Sequence, residues 1–395
     1  MEFQILKQKK HSLLAGYKNS YFSYFLMYNF YYLSWALFSV LISVYLLDRG
    51  YRASDVSLVV SGSFLASLLT QPLIGSLTDR YDAKKLNLAL FGIAMIGAVL
   101  FLMADTLWMI AGSYALVMLI LNGTNPVMEK VATASPYAYG RIRIWGTIGY
   151  ALGSQLAGLI YDFVSPQAIF IAFLGTMALC VIGLAGTDSL AMEKKPEKEK
   201  NSLKSGNKKF FIYLGLAGVF FGITNVVNTY APAMFQAKGL DMSVTSAILS
   251  AAVLCEAPIV LWSGKFMDRL ETKTLMLIAF GLVLVQLGVY ALDLKVGAMV
   301  AITLMAKHPA GMLFIMINLK AVASLVDANR QISALALVQT VKSLFSIGFQ
   351  NVAGNLLNVV PFAQVYLICG CVLGVALLVL LGVKLPSTSQ KLFQK

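Results

Sequence analysis

Apolar stretches of about 18 to 25 residues, each nearly free of charge, recur along the whole chain with short polar segments between them. Each is close to the ~20 residues a helix needs to cross ~30 Å of hydrocarbon, and the pattern predicts twelve spanning helices. Their approximate limits are 22–47, 55–77, 86–103, 107–128, 142–164, 167–186, 210–235, 244–264, 274–292, 296–319, 331–357 and 362–383. A helix satisfies its own backbone hydrogen bonds where no water can, so the expected fold is an all-α polytopic membrane protein. One long polar stretch interrupts the series. Residues 187–209, with Lys194, Lys195, Glu197, Lys198, Glu199 and Lys200 around Pro196, cannot bury apolar area and read as a solvated linker. The expected organisation is an N-terminal six-helix bundle (1–186), a cytoplasmic linker (187–209) and a C-terminal six-helix bundle (210–395).

Composition agrees. Hydrophobic residues make up 58% of the 395 and charged residues 12%, about half the share in soluble proteins, and the mean hydropathy is +0.76. A soluble chain this apolar could not cover its own core, which sets aside soluble enzymes, nucleic-acid binders and secreted disulfide scaffolds. The net charge of +13 is topological. With the N-terminus inside, only Arg49, Arg52, Lys238 and Lys295 of the 31 Lys and Arg fall in outer loops, and Lys307 and Lys342 fall within spans. The positive-inside rule then puts both termini in the cytoplasm of a plasma (inner) membrane protein. The basic N-terminus runs directly into a full-length span, so no signal peptide is expected. Cys180, Cys255, Cys369 and Cys371 lie in apolar spans and act as small hydrophobes; no metal or cofactor is expected.

The two halves repeat each other. Gly75, Asp79, Arg80 and Lys84 follow the second span, and Gly264, Asp268, Arg269 and Lys273 follow the eighth, each displaced by 189 positions. A duplicated six-helix unit is a mark of transporters whose halves rock about a central site. The glycine lets helices approach closely, and the charges can latch neighbouring helix ends on the cytoplasmic face. Gly-x-x-x-Asp-Arg-x-x-x-Lys, in this place and repeated, resembles the signature of the major facilitator superfamily. The resemblance covers the whole chain and implies twelve transmembrane helices in two six-helix pseudo-repeats.

A narrower resemblance rests on patches. Glu129-Lys130-Val131 followed by Gly140-Arg141-Ile142-Arg143-Ile144-Trp145-Gly146 is similar to the fourth-to-fifth helix region of lactose permease and its oligosaccharide–proton symporter relatives. Lys342 with Ala353-Gly354-Asn355 is similar to their eleventh helix, and Lys307-His308 lies near their tenth-helix histidine. By this resemblance Arg143 and the Tyr150 ring face substrate; the other reading ties Arg143 to Glu129 at the cytoplasmic end. The chain also departs from the group. Its sugar-binding glutamate falls at Asn125, its two helix-seven aspartates fall at Asn225 and Asn228, and Pro309-Ala310-Gly311 offers no carboxylate after the histidine. These departures predict a substrate other than lactose and a different route for proton coupling.

Ionisable groups inside a span are costly and mark function. Counting at 1.5 Å per residue from the predicted ends, Glu256 lies about 18 Å deep, Lys307 and His308 about 17 Å and Lys342 about 15 Å. All four sit near the midplane, and Glu256 is the one acid deep in any span. It is read as a proton carrier or as half of a permanent pair with Lys342. Lys342 either makes that pair or contacts substrate, Lys307 faces a cavity, and His308 titrates near neutrality or caps a helix kink at Pro309. On the first span Tyr21, Tyr24, Tyr28, Tyr31 and Trp35 share one helical face. Tyr28, Tyr31 and Trp35 are candidates to stack on a solute; belt and packing roles are the alternative. Asn125, Asn225 and Asn228 add neutral polar groups suited to a polyhydroxyl substrate.

The expected function is a proton-coupled symporter importing a small polar solute, most simply a sugar or oligosaccharide, by alternating access through a midplane cavity. Its expected partners are the solute, protons and the lipid bilayer, with no nucleic acid and a monomeric state. Alternatives are uptake of an organic anion, suggested by two midplane lysines against one glutamate, uptake of a nucleoside, and proton-antiport drug efflux. Exporters of the superfamily carry a Gly-Pro-rich fifth helix. Here Gly146, Gly149, Gly153 and Gly158 occur without proline, which favours symport. No HExxH, GxSxG or Walker motif supports an enzyme.

Overall fold

The computed structural model describes residues 17–188, 208–327 and 330–385, without the side chains at 71, 72, 75, 76, 78–80 and 332. Among the described residues every regular element is helical. The first half holds α1 (Tyr21–Ser39), α2 (Ile42–Asp48), α3 (Ala53–Arg80), α4 (Ala83–Leu102), α5 (Leu107–Thr133), α6 (Tyr139–Phe163) and α7 (Ala168–Gly186). The second holds α8 (Lys208–Ala237), α9 (Met242–Leu254), α10 (Ala257–Leu261), α11 (Ser263–Phe266), α12 (Thr272–Ala291) and α13 (Val296–Ile302). A π-helical turn, Thr303–Lys307, leads into α14 (His308–Leu325), followed by α15 (Gln331–Leu357) and α16 (Phe362–Gly382). Ten of the described segments are long and apolar enough to cross a membrane. The predicted fifth and eleventh spans, α6 and α15, are 25 and 27 residues long but more polar. The chain is a multi-pass membrane protein.

Two compact units form. The first comprises the described parts of Met1–Val40 and Ala66–Lys195. In it α1 lies against α6 and α7, and glycines set the distance. A Cβ at Gly149 would meet the Asn29 carbonyl oxygen at 2.2 Å, one at Gly153 the Leu33 carbonyl oxygen at 2.4 Å, and one at Gly183 the Met27 amide nitrogen at 2.2 Å. With no hydrophobic force between helices in lipid, such close backbone approach supplies the packing. A ring cluster fills the rest: Phe38 sits 4.9 Å from Phe173, and Phe101 4.6 Å from Phe170, centroid to centroid.

The second unit comprises Leu41–Leu65 and the described parts of Pro196–Lys395. Here α8 packs on α15, with Gly222 against Phe349 and Gly218 against Phe345, and Phe220 stacks on Phe314 at 4.1 Å. The start of α3 belongs to this unit through specific contacts. Tyr230 Oη donates to the Ala53 carbonyl at 2.8 Å, Asn351 Nδ2 donates to Ser61 Oγ at 2.9 Å, and a Cβ at Gly354 would lie 2.4 Å from Ser57 Cβ.

The glycine contacts give a paired expectation. Gly149→Ala gains helix propensity of up to ~1 kcal/mol, but its methyl must displace a backbone oxygen, and overpacking costs about 1–3 kcal/mol. The thermal unfolding midpoint in detergent falls for Gly149→Ala. It holds or rises for Gly175→Ala, where nothing lies within 4 Å of the added atom.

Candidate functional site

In the first unit, helical spacing brings α1, α5 and the start of α6 to one carboxylate. Glu129 Oε1 accepts from Tyr28 Oη at 2.7 Å and from Tyr32 Oη at 3.1 Å, and its Oε2 accepts from Tyr139 Oη at 2.7 Å. Arg143 Nε lies 3.6 Å from Oε1, with both side chains about one-third exposed at 32% and 30%. The guanidinium also sits 5.7 Å from the Tyr32 ring centroid, a cation–π contact. Asn125 Nδ2 donates to Tyr32 Oη at 2.9 Å, and the Tyr32 ring lies parallel to Trp35 at 6.1 Å. Tyr31 does otherwise: its hydroxyl is buried and bonds the Leu121 carbonyl, a packing role. Tyr150 is half-buried on α6, two turns past Arg143. The anticipated tie of Arg143 to Glu129 is therefore present, one helical turn beyond Asn125.

In the second unit two helices break side by side. The chain leaves helical geometry at Cys255 and Glu256, between α9 and α10, and widens to a π turn at Thr303–Lys307 before α14. Prolines explain both interruptions. Pro258 and Pro309 have no amide hydrogen to give the carbonyl four residues back. The π turn is anchored through Thr303, whose Oγ1 donates to the Met299 carbonyl at 2.5 Å and lies 2.5 Å from Tyr290 Oη on α12. The breaks bring Glu256 Oε2 to 3.8 Å from His308 Nδ1, with the side chains 14% and 21% exposed. Lys307 Nζ lies 3.3 Å from the other ring nitrogen, Nε2. The three groups form a row: ammonium, imidazole, carboxylate.

Lys342, open in the sequence between pairing with Glu256 and contacting substrate, does not make that pair. Its Nζ lies 3.6 Å from the Phe221 ring centroid, and no described carboxylate is within ion-pair distance. Asn225 Nδ2 donates to Ser346 Oγ at 2.6 Å, while Asn228 is exposed on α8. Neither asparagine joins the Glu256 row.

The duplicated motif is duplicated in contacts as well as letters. Lys84 Nζ donates to the Thr187 carbonyl just past the end of α7, and Lys273 Nζ donates to the Leu381 carbonyl at the end of α16, at 2.7 Å. Each motif lysine thus caps the last helix of its own half, where unpaired carbonyls and the helix dipole attract a cation. A family model described as Major Facilitator Superfamily matches residues 24–349. The chain belongs to the major facilitator superfamily. Among curated relatives, raffinose permease of Escherichia coli is 22% identical over 353 residues, 82% of each chain. A probable 3-phenylpropionic acid transporter of Escherichia coli is 23% identical over 286 residues, 66% of this chain and 69% of its own. The crystal structure of the nucleoside transporter NupG, in a mutant form, superposes with a TM-score of 0.81 at 14% identity, covering 91% of this chain and 98% of that one. The structural likeness establishes the superfamily fold.

Other motif positions divide between the described and the undescribed. Gly75, Asp79 and Arg80 lie at the end of α3, but their side chains are outside the described residues. Gly264 lies in α11, and Asp268 and the exposed Arg269 lie in the turn after it. That turn is held by Lys320, a buried α14 residue whose Nζ donates to the carbonyls of Met267 and Leu270, the latter at 2.5 Å. Sequence reasoning missed Lys320, as it missed Tyr32, although Tyr32 stands one turn from Tyr28 and nearly one from Trp35.

Lys84→Met and Lys273→Met should each lower stability by about 1–2 kcal/mol by removing one charge-assisted cap. Each cap lies within its own compact unit and the two share no partner, so their effects should sum. The check is the detergent unfolding midpoint of both single variants and the double; unchanged midpoints would contradict the capping role.

Proposed function

We propose that this superfamily member is a proton-coupled symporter in the plasma (inner) membrane. It imports a small polar solute, a saccharide in the first instance, by alternating access, with both termini cytoplasmic. The observation that carries this reading is the contact of Glu256 with His308 at paired helix breaks. A carboxylate in that setting is costly when charged and alone, and less costly when protonated or beside a cation. Conformational change that alters its distance from His308 and Lys307 therefore loads and releases one proton. Similarity to raffinose permease supports a saccharide, and in the first unit the parallel rings of Tyr32 and Trp35 offer a face for a sugar ring. Tyr28, Asn125 and Arg143 offer hydrogen bonds beside it, with Tyr150 as a further polar contact; in the second unit Asn225 and Asn228 are polar candidates of their own. A second reading, uptake of an organic anion, is favoured by the lysines of the second unit and by the similarity to the 3-phenylpropionic acid transporter.

Glu256→Gln keeps hydrogen-bonding capacity and cannot ionise. In proteoliposomes it should equilibrate solute by counterflow at near the normal rate, because exchange needs only alternating access. Accumulation driven by a pH gradient should collapse. Undiminished accumulation would refute the assignment and move suspicion to His308 or to another coupling ion.

The motif loops act as gates. Asp268→Asn, like Asp79→Asn, should change transport rate, and solute affinity measured with the conformation locked should stay the same. Loss of affinity in a folded, locked protein would instead place Asp268 in the solute site.

A further inference from the structure

The two units differ in how their charges are matched. In the first, Arg143 faces Glu129, so the cation has its anion. In the second, among the described residues, Glu256 is the one carboxylate deep in a helix, against Lys307 in the π turn and Lys342 in α15, while Lys320 near the end of α14 is held by carbonyls beside Asp268 and Glu271. Glu256 is already engaged by the His308 ring, with Lys307 on the far ring nitrogen. Among the described residues Lys342 has only the face of Phe221. A cation–π contact compensates only part of the cost of drawing an ammonium group away from bulk water. Phe221 in turn packs edge-on against Phe314 of α14 at 5.3 Å, six residues beyond His308.

When Glu256 is ionised, the interior of this unit carries one uncompensated positive charge. When Glu256 takes up a proton, it carries two. An anion is then the missing partner, and the state that has bound the proton is the state that most favours it.

We infer that the transported solute is a monoanionic saccharide, a uronic acid or an oligosaccharide ending in one, whose carboxylate is held by Lys342. The inference rests on the symport reading above and specifies its substrate. Each solute brings one negative charge and each turnover brings one proton on Glu256, so the transported pair is neutral. Proton and anion strengthen each other's binding, and linkage requires the effect to be equal in both directions. Phe221 is the place where the ammonium rests between solutes.

The test uses the full chain in proteoliposomes with labelled galacturonate, galactose, raffinose and 3-phenylpropanoate. Galacturonate should accumulate with a pH gradient, and the neutral sugars should neither accumulate nor compete. An interior-negative potential should leave the initial rate of galacturonate uptake unchanged. A neutral sugar moving with a proton would instead be accelerated by the potential, because that pair carries one net positive charge. Lys342→Met should lose galacturonate affinity by about 30-fold or more, and Lys342→Arg should retain most of it. If Lys342→Met does not fold, the solute panel and the potential dependence of the unaltered protein still decide. Accumulation of raffinose or galactose without galacturonate overturns the inference and leaves saccharide symport standing. Accumulation of phenylpropanoate with no saccharide overturns the saccharide reading and leaves the carboxylate site. Acceleration of galacturonate uptake by the potential overturns the neutral pair.

Discussion

Hydrocarbon offers no hydrogen bonds, so every polar group placed in it must find its partner within the chain. The architecture follows from that constraint. Backbone amides close on themselves in helices, and glycines on α6 and α7 let neighbouring backbones touch where larger side chains would hold them apart. Lys84, Lys273 and Lys320 spend their charges on carbonyls at helix ends and turns that would otherwise lack donors. Where the constraint is relaxed, at Cys255–Glu256 and at Thr303–Lys307, the ionisable groups collect. A break in a spanning helix frees backbone groups, and the Glu256–His308 contact sits beside two such breaks.

The pseudo-repeat governs the frame and not the chemistry. Lys84 and Lys273 do the same work in the two halves, 189 positions apart. The interiors have diverged. The first unit surrounds a compensated pair, Glu129 and Arg143, with phenols from Tyr28, Tyr32 and Tyr139. The second holds a short row of titratable groups and a lysine resting on a ring. The proposed coupling of a proton to a solute draws on this asymmetry, because a site whose charges are always matched has no reason to exchange a proton.

Much of the frame was legible in the sequence, because span length and charge asymmetry are set by bilayer thickness and by the cost of moving charge across it. The duplicated motif was legible for the same reason: its spacing is fixed by a helix end and a turn. The site was legible in part. Glu256, His308 and Lys307 announce themselves as ionisable groups at one depth, and depth follows from counting residues. Which of them touch depends on how α9 and α14 break, and a π turn leaves no signature beyond the neighbouring proline. Depth leaves Lys342 open between pairing with Glu256 and contacting substrate, because it says nothing of rotation about the helix axis, and the ammonium turns toward Phe221. Glu129 was overshadowed by Asn125, the position the resemblance singled out, although one more turn along the same face carries the carboxylate to Arg143. Tyr32 belongs to a second ring face that shares Tyr28 and Trp35 with the first, and periodicity alone does not rank the two.

The central claim is that Glu256 and His308 act as one unit across the paired breaks. It is tested most directly by a double-mutant cycle, with Glu256→Gln, His308→Asn and the double variant compared for unfolding stability in detergent. Interacting residues give a coupling energy of about 0.5–3 kcal/mol, so the double variant should lose little more than the more damaging single one. Losses that add to within ~0.5 kcal/mol would mean that the two side chains do not meet in the folded protein.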